Sequence, residues 1–226
     1  MRAVIFDFDG VIVDSEPIHY RTLAEALLAD GVAIDEEEYR ARYLAYDDRE
    51  AIRVALETHG EAPELERIDR IAQRKARLFD AATPDVPLLP GVRDLVGSLA
   101  RQLPLGIASG ALHGEIEKIL AGAGLRDAFQ IVVGADDVAR SKPDPETYVR
   151  AVSLLGRCAP GLRPDECLAF EDSVAGILAA RAAGIRVVGV ASSYPPEKLT
   201  AAHRVLGSLE GLDEAAARRL YDGGPG

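Results

Sequence analysis

The chain begins with an apolar segment that runs directly into two carboxylates. Ile5 and Phe6 are followed by Asp7, Asp9 and Gly10. Side chains two residues apart on a strand share a face, so Asp7 and Asp9 can point into one site, and Gly10 allows a sharp turn behind them. Such a pair can supply a nucleophile and a general acid–base. A polar strand end followed by a turn is the alternative interpretation.

Three later apolar segments also end near polar groups of complementary chemistry. They are residues 104–109, which end in Ser109 before Gly110, residues 129–133, which precede Lys142, and residues 166–171, which lead into Glu171 and Asp172. Ser109 and Asp172 could each be a helix N-cap, and a lysine in a proline-rich turn is usually solvent-exposed. The chain has 4 lysines against 22 arginines, which favours a specific need for a compact ammonium at Lys142.

The elements that would position these groups alternate along the second half of the chain. Strands are predicted over 104–109, 129–133, 166–171 and 186–190, with helices over 112–123, 145–155 and 174–183 between them and a short edge strand at 205–206. Such alternation predicts an α/β fold with a doubly wound, Rossmann-like parallel sheet. Ligands bind such sheets at the carboxyl ends of the strands, where all the polar groups above are found.

One long stretch has a different character. From residue 16 to residue 82, leucine and isoleucine recur at helical spacings among charged residues, which predicts about four amphipathic helices. We therefore expect a small inserted α-helical cap domain over 16–82 and a core domain formed by 1–15 and 83–226. Pro84, Pro87 and Pro90 would form the returning linker.

The order of the motifs resembles that of the haloacid dehalogenase superfamily. Residues 7–16, 141–145 and 171–176 are similar to the branch that contains β-phosphoglucomutase and small sugar-phosphate phosphatases. The resemblance covers nearly the whole chain and implies a phosphatase that uses Mg²⁺ and acts on a small phosphorylated metabolite, with a sugar phosphate as the expected class. A cytoplasmic location is predicted separately, because the chain has only two cysteines and no CxxC motif or Cys/His cluster.

The resemblance also implies a role for each residue. Asp7 would be the nucleophile that forms an aspartyl-phosphate, and Asp9 the general acid and base. Ser109, Gly110 and Lys142 would hold the phosphoryl oxygens. The metal ligands would be Asp7, Glu171, Asp172 and the backbone carbonyl of Asp9, an all-oxygen set that suits Mg²⁺ rather than zinc.

Other members of the superfamily fit less well. By resemblance, haloalkanoate dehalogenases lack the second aspartate, which is present here as Asp9. Phosphonate hydrolases of similar layout use a cap lysine, and residues 1–74 contain none. A non-catalytic binding protein would not need the complete set of acids, hydroxyl and lysine.

Substrate choice is expected to depend on the cap. His19, Tyr46, Asp47, Arg49 and Lys75 match or neighbour the cap and hinge positions of β-phosphoglucomutase-like proteins, although each could equally serve a solvated helix face or cap packing.

A β-phosphoglucomutase-type phosphosugar mutase is the alternative function. That family carries a serine, lysine and asparagine after the strand-end serine to hold a distal phosphate. Ala111, Leu112 and His113 stand there instead, which favours hydrolysis over mutase activity.

Composition excludes several kinds of partner. A net charge of −11 and a pI near 4.9 disfavour binding to nucleic acid or to an anionic membrane. Two cysteines are too few for a disulfide framework, and no apolar stretch reaches the roughly 20 residues of a membrane span. We expect a monomer without a signal peptide.

Overall fold

The computed structural model describes residues 1–44, 46–82 and 86–223. The chain forms two compact units, one made of residues 1–14 together with the chain from Pro87 onward, the other of Ser15–Val86. The predicted linker lies partly outside the described residues, because Pro84 and the expected boundary at residue 83 are not among them. The assignment of 16–82 as a cap domain stays a prediction.

The first unit is built on a six-stranded, fully parallel sheet. Its strands are β1 (Ala3–Phe6), β2 (Leu105–Ala108), β3 (Ile131–Val133), β4 (Cys167–Glu171), β5 (Arg186–Val190) and β6 (Arg204–Leu206), in the spatial order β3-β2-β1-β4-β5-β6. The central strands are short, continuous apolar runs, as expected for a sheet with both faces covered. The predicted α/β class and parallel sheet are confirmed, and β6 is the predicted edge strand.

The strand order reverses between β1 and β4. Both neighbours of β1 run parallel to it, with Phe6 opposite Ile107 on one side and Phe170 on the other. In open α/β sheets the crevice at such a switch point, outside the carboxyl ends of the strands, is where ligands bind. Asp7 follows β1 and Glu171 ends β4, so the two acids meet at this crevice.

Helices of the second half pack on this sheet. The described helices of the unit are α5 (Val92–Leu99), α6 (His113–Gly122), α7 (Glu146–Leu155), α8 (Val174–Ala182) and α9 (Glu214–Asp222). One buried cluster joins the apolar face of α7, including Tyr148 and Leu155, to Ile5 of β1, Ala169 of β4 and Ile177 of α8. Within this cluster α7 packs on β2 and β3, and α8 packs on β4 and β5.

Most predicted boundaries lie within one residue of those in the structure, and the start of β3 differs by two. The strand expected over 129–133 begins at Ile131, because Phe129 ends a preceding short 3₁₀ turn. Gln130 instead pairs with the start of β2. Its side-chain oxygen accepts from the Leu105 backbone amide at 2.6 Å, and its backbone amide donates to the Leu105 carbonyl at 2.9 Å.

The second unit is helical. It contains α1 (Glu16–Leu28), α2 (Glu36–Arg42), α3 (Asp48–Thr58) and α4 (Leu65–Ala82). Its own core includes Leu27, Tyr43, Ile52, Leu56 and Ile71. Among the residues that the structure describes, no helix is both long and apolar enough to cross a lipid bilayer.

Candidate active site

Asp7 is positioned by the β1–β4 ladder. Its amide donates to the carbonyl of Phe170 at 2.9 Å, which extends the pairing one residue beyond the strand. The chain then turns back, with the Ile12 amide donating to the carbonyl of Phe8 at 2.8 Å. The Phe8 amide also donates to the Asp7 carboxylate at 2.7 Å. The Asp7 side chain is buried, and its carboxylate is oriented by the Phe8 amide.

Lys142 joins the first and last acidic motifs. Its ammonium lies 3.0 Å from Oδ1 of Asp7 and 2.6 Å from Oε1 of Glu171. All three side chains are almost completely withdrawn from solvent. A lysine from a proline-rich loop thus bridges two carboxylates that are 164 residues apart in the sequence.

Both carboxylate oxygens of Glu171 accept hydrogen bonds. The Tyr148 hydroxyl donates to its Oε1 at 3.0 Å, and the amide and hydroxyl of Ser173 both donate to Oε2 at 3.0 Å. Gly176 in the first turn of α8 faces this carboxylate so closely that a Cβ there would lie 1.6 Å from Oε1. The start of α8 is thus shaped around Glu171.

Asp172 is held by residues from two other segments of the chain. It accepts a hydrogen bond from the Ser193 side chain, which follows β5. Gly10 has a φ of +69° and packs against Asp172, since a Cβ on Gly10 would lie 2.0 Å from Oδ2. Glycine is required here both for the left-handed backbone and for the close approach.

The charges of the cluster are not balanced. Burial raises the pKa of Asp7 well above its usual range, and the Glu171 charge raises it further against the opposing effect of Lys142. Burial also acts to raise the pKa of Glu171, but Lys142 and Ser173 outweigh it and hold that pKa below its usual range. Burial and then the Glu171 charge raise the pKa of Asp172 to about 7. Three carboxylates thus share one ammonium.

This arrangement fits a divalent cation. Asp7, Glu171 and Asp172 each offer an oxygen, and these oxygens all lie within 4.8 Å of one another. The excess negative charge in a buried place is what a hard cation with oxygen ligands would neutralise. The three residues could therefore hold a metal ion through their carboxylate oxygens.

The other predicted core residues occupy the same edge of the sheet. Ser109 directly follows β2, next to β1, and is buried, with its hydroxyl accepting from the Ala111 amide at 3.0 Å. A Cβ on Gly110 would meet no atom within 4 Å, so open space lies beside its backbone. Asp9 is not one of the three clustered ligands, but its charge contributes to raising the pKa values of Asp7 and Asp172.

In the helical unit, Lys75 and His19 come together. Lys75 is buried, and its ammonium lies 2.9 Å from Nδ1 of His19 and 2.7 Å from a carboxylate oxygen of Asp48. The ring of Phe79 lies 4.4 Å from that of His19 and 4.8 Å from the Lys75 ammonium. The positive charge of Lys75 is therefore paired inside its own unit.

The remaining predicted residues of that unit are exposed. Tyr46 lies at the surface, Asp47 caps α3 by accepting from the Glu50 amide at 3.0 Å, and Arg49 forms an ion pair with Asp69. Asp47 is therefore the N-cap of α3, a role that is common for an aspartate directly before a helix.

Two residues of the acidic cluster were missed by the sequence reasoning. Tyr148 lies on the buried face of α7 and also faces the Lys142 ammonium, which is 5.2 Å from the ring centre. Ser193 lies in the turn after β5. The sequence offered one indication for Tyr148, its position six residues after Lys142 on the helix that follows the lysine loop. It offered none for Ser193.

Comparison with known proteins identifies the family. The sequence model of the haloacid dehalogenase-like hydrolases matches residues 1–184, a range that includes Asp7, Asp9, Ser109, Gly110, Lys142, Glu171 and Asp172 but ends before Ser193. The chain belongs to this family. The resemblance inferred from the motifs is therefore confirmed, as is the assignment to the hydrolases.

Relatives of this hydrolase extend over most of its length. Protein CbbY of Rhodobacter capsulatus is 34% identical over 202 residues, with 86% of this chain and 87% of the relative covered. Hexitol phosphatase B of Escherichia coli K12 is 32% identical over 223 residues, with 96% of each covered. Relatives that carry phosphatase names confirm the predicted enzyme class, phosphoric monoester hydrolase.

The fold has close counterparts among solved structures. CbbY of Rhodobacter sphaeroides in complex with phosphate superposes with a TM-score of 0.82 at 28% identity, covering 96% of this chain and 99% of the other. A mutant of the same protein in complex with xylulose-(1,5)bisphosphate gives a TM-score of 0.81 with the same coverage. The Rossmann-like sheet is thus that of the family.

Proposed function

We propose that this hydrolase is a Mg²⁺-dependent phosphatase that cleaves a small phosphorylated metabolite through an aspartyl-phosphate on Asp7. The observation that carries the proposal is the buried cluster in which Lys142 bridges Asp7 and Glu171 beside Asp172. A carboxylate nucleophile, a fixed ammonium and surplus acidic ligands at one strand edge are the parts that phosphoryl transfer requires.

In this proposal the residues of the site carry out the two half-reactions as follows. A carboxylate oxygen of Asp7 attacks phosphorus, the P–O bond to the leaving group breaks, and Asp9 protonates the leaving alcohol. Asp9 then takes a proton from the water that hydrolyses the aspartyl-phosphate, which releases inorganic phosphate and regenerates Asp7. Lys142, Ser109 and the amide of Gly110 hold the phosphoryl oxygens as charge shifts between them.

Asp7, Glu171, Asp172 and the backbone carbonyl of Asp9 would hold the metal. Bound Mg²⁺ would offset the repulsion between the carboxylates and an anionic phosphate. Tyr148, Ser173 and Ser193 would keep Glu171 and Asp172 oriented, because each donates a hydrogen bond to one of these carboxylates.

A sugar phosphate is the proposed substrate class. Two relatives support it: one is named for hexitol phosphates, and the CbbY mutant was solved with a pentulose bisphosphate. We propose that the helical unit selects the substrate as a cap through His19, Tyr46, Asp47, Arg49 and Lys75. The monomeric state and the cytoplasmic location also remain predictions.

A panel of phosphate esters tests the proposal directly. Purified protein with Mg²⁺ should release inorganic phosphate from a generic aryl phosphate and, faster, from at least one sugar phosphate. Absence of turnover on every ester, with the protein folded and loaded with metal, would favour the non-catalytic binding protein instead.

The metal dependence gives a second expected result. Chelator should abolish activity and Mg²⁺ should restore it, while Ca²⁺ should inhibit because its longer bonds and higher coordination number disturb the site. Asp172→Ala should lower the rate and raise the Mg²⁺ concentration needed for half-activity by at least about tenfold, since a ligand is lost. Calorimetric titration of Mg²⁺ measures the affinity independently of activity.

Asp127→Ala is the matched control for Asp172→Ala. Asp127 is exposed on a short turn of the same unit, so its replacement removes an aspartate side chain without touching the cluster. Full activity of the wild type in excess chelator would remove the metal from the mechanism.

The choice between phosphatase and mutase gives a third expected result. A mutase must grip a distal phosphate with several charge-assisted hydrogen bonds. The His113 ring instead lies 2.7 Å from an Asp137 oxygen, Leu112 is exposed, and Arg49 pairs with Asp69. With β-glucose 1-phosphate and a trace of bisphosphate primer, any turnover should release inorganic phosphate without accumulating glucose 6-phosphate. Stoichiometric glucose 6-phosphate, lost in Arg49→Ala, would make the protein a mutase.

A further inference from the structure

A pocket lies at the amino ends of the strands, opposite to the carboxyl ends where the acidic cluster of Asp7, Glu171 and Asp172 is found. It has a volume of about 240 Å³ and is lined by Asp165, Arg181, Gly184, Ile185, Arg186 and His203. These residues precede or begin β4, β5 and β6, whereas the catalytic groups follow the carboxyl ends of the strands. The five residues of β5 separate the two edges by about 16 Å, at about 3.3 Å per residue.

Two arginines give this pocket a positive charge. The Arg181 guanidinium donates to the carbonyl of Ala201 at 2.8 Å, and the Arg186 guanidinium lies 5.3 Å from the centre of the Tyr221 ring. Across the described part of the chain, neither arginine forms an ion pair with a carboxylate. Both are held in place by neutral groups, in a protein whose net charge is −11.

His203 adds a hydrogen-bond donor to the same pocket. Its Nδ1 accepts from the Val187 amide at 3.0 Å, so in the neutral ring the proton is on Nε2, which can donate. Burial lowers the pKa of His203, and the charges of Arg181 and Arg186 lower it further. Both guanidinium charges therefore act at the imidazole.

The one acid in the lining does not cancel this charge. The Asp165 carboxylate accepts from Nε of Arg163 at 3.0 Å, and this hydrogen bond holds the pKa of Asp165 below its usual range. Arg163 is not among the lining residues. The Asp165–Arg163 pair is neutral, which leaves the charges of Arg181 and Arg186 for a ligand.

We propose that this pocket binds a phosphate or phosphonate-type dianion at a site separate from the catalytic cluster. Two guanidinium groups and an imidazole N–H match the oxygens of such an anion. Sites for drug-sized ligands occupy about 300–1,000 Å³, so this smaller pocket favours a phosphate group with few carbon atoms over a nucleotide.

The imidazole of His203 offers a reporter for the experiment. The chain has four histidines, and the His203→Gln variant assigns the His203 resonance by its disappearance. The full-length protein is titrated by NMR with inorganic phosphate and, in a second arm, with propylphosphonate, which a phosphomonoesterase cannot hydrolyse. We expect a saturable shift of the His203 resonance and a rise of its pKa on saturation. His113, at the start of α6 on the catalytic edge, separately reports anions that bind there.

Matched variants test the charge requirement. Arg186→Gln should weaken the anion affinity seen at His203 by at least about tenfold, because one charge-assisted hydrogen bond is lost. Arg157→Gln, at an exposed position outside the pocket, removes the same charge and should leave the affinity unchanged. If Arg186→Gln unfolds for lack of its contact with Tyr221, Arg181→Gln is the replacement.

The outcomes are distinct. Tighter binding of propylphosphonate than of phosphate would identify an organic phosphate as the ligand, and equal or weaker binding would identify free phosphate. A non-saturating shift of His203, or an equal affinity in wild type and in the pocket variants, would overturn the proposed site.

Discussion

Asp7→Asn should lower turnover by several orders of magnitude on every phosphate ester that the wild type hydrolyses. Asparagine keeps the shape of the side chain but removes the nucleophilic carboxylate. Loss of a catalytic group costs at least about 10²-fold, and loss of the only nucleophile should cost more. Steady-state kinetics on one good substrate measure the effect as kcat and as kcat/KM.

The same variant should not be destabilised when metal is absent. The raised pKa of Asp7 means that the folded chain disfavours the ionised carboxylate. The folded state therefore binds more protons than the unfolded state between their two pKa values, so the ionised Asp7 carboxylate lowers stability as pH rises through that window. Asparagine removes this cost, and the unfolding midpoint in chelator at neutral pH should stay level or rise.

These two readouts together separate chemistry from folding. Asp127→Asn is the control, because Asp127 is exposed and outside the cluster, and it should retain wild-type kinetics. More than about a tenth of wild-type activity in Asp7→Asn would contradict the aspartyl-phosphate route, given the 10²-fold minimum expected. A large fall in its unfolding midpoint would mean that the activity loss reports misfolding.

The strands and their order of chemistry could be predicted because each signal is local. An apolar run followed by a carboxylate marks a strand end in the sequence itself, as at Phe6 and Asp7 or at Phe170 and Glu171. In a parallel sheet all carboxyl ends meet at one edge, so the grouping of these acids follows from the alternation of strands and helices. The sequence did not indicate that β1 pairs with β4, which decides that Asp7 and Glu171 are the two bridged by Lys142.

The partners of the acids were harder to predict because they depend on packing between distant segments. Tyr148 shares the buried face of α7 with Ala151 and Leu155, so its sequence context is that of a core aromatic residue. Only the packing of α7 on the sheet shows that the Tyr148 hydroxyl reaches Glu171. In the sequence Ser193 likewise looks like an ordinary turn residue. Its hydrogen bond to Asp172 becomes visible only once the structure brings the segments around Gly10, Asp172 and Ser193 together.

The helical unit illustrates the same limit. Lys75 could be named as a candidate because it matches or neighbours cap positions of β-phosphoglucomutase-like proteins, but its partner Asp48 is 27 residues away on another helix. Periodicity identifies which face of α4 is apolar and does not identify which charge lies opposite. The pairing with Asp48 and His19 therefore emerged only from the packing of α1, α3 and α4.

Lys142→Met should cost both activity and stability. Removing a group that stabilises transition-state charge lowers kcat by about 10²–10³-fold. Lys142 is also the ammonium that contacts Asp7 and Glu171, and breaking a buried ion pair from one side costs about 3–5 kcal/mol. For a chain of 226 residues that corresponds to a fall of roughly 10 °C in the unfolding midpoint in chelator.

The stability loss of Lys142→Met should be smaller when the metal is bound, which would show that the loss originates in the acidic cluster. Without Lys142, Asp7, Glu171 and Asp172 repel one another with no cation between them, so added Mg²⁺ should raise the unfolding midpoint of the variant more than that of the wild type. Lys142→Arg keeps the charge and should restore more of the stability than of the activity. The larger guanidinium cannot reproduce the compact contact with both carboxylates. Lys198→Met, at an exposed lysine, controls for the lost charge. An unchanged midpoint of Lys142→Met in chelator would show that the three carboxylates are already neutralised by protons, and that the cluster does not carry the surplus charge on which the proposed metal site depends.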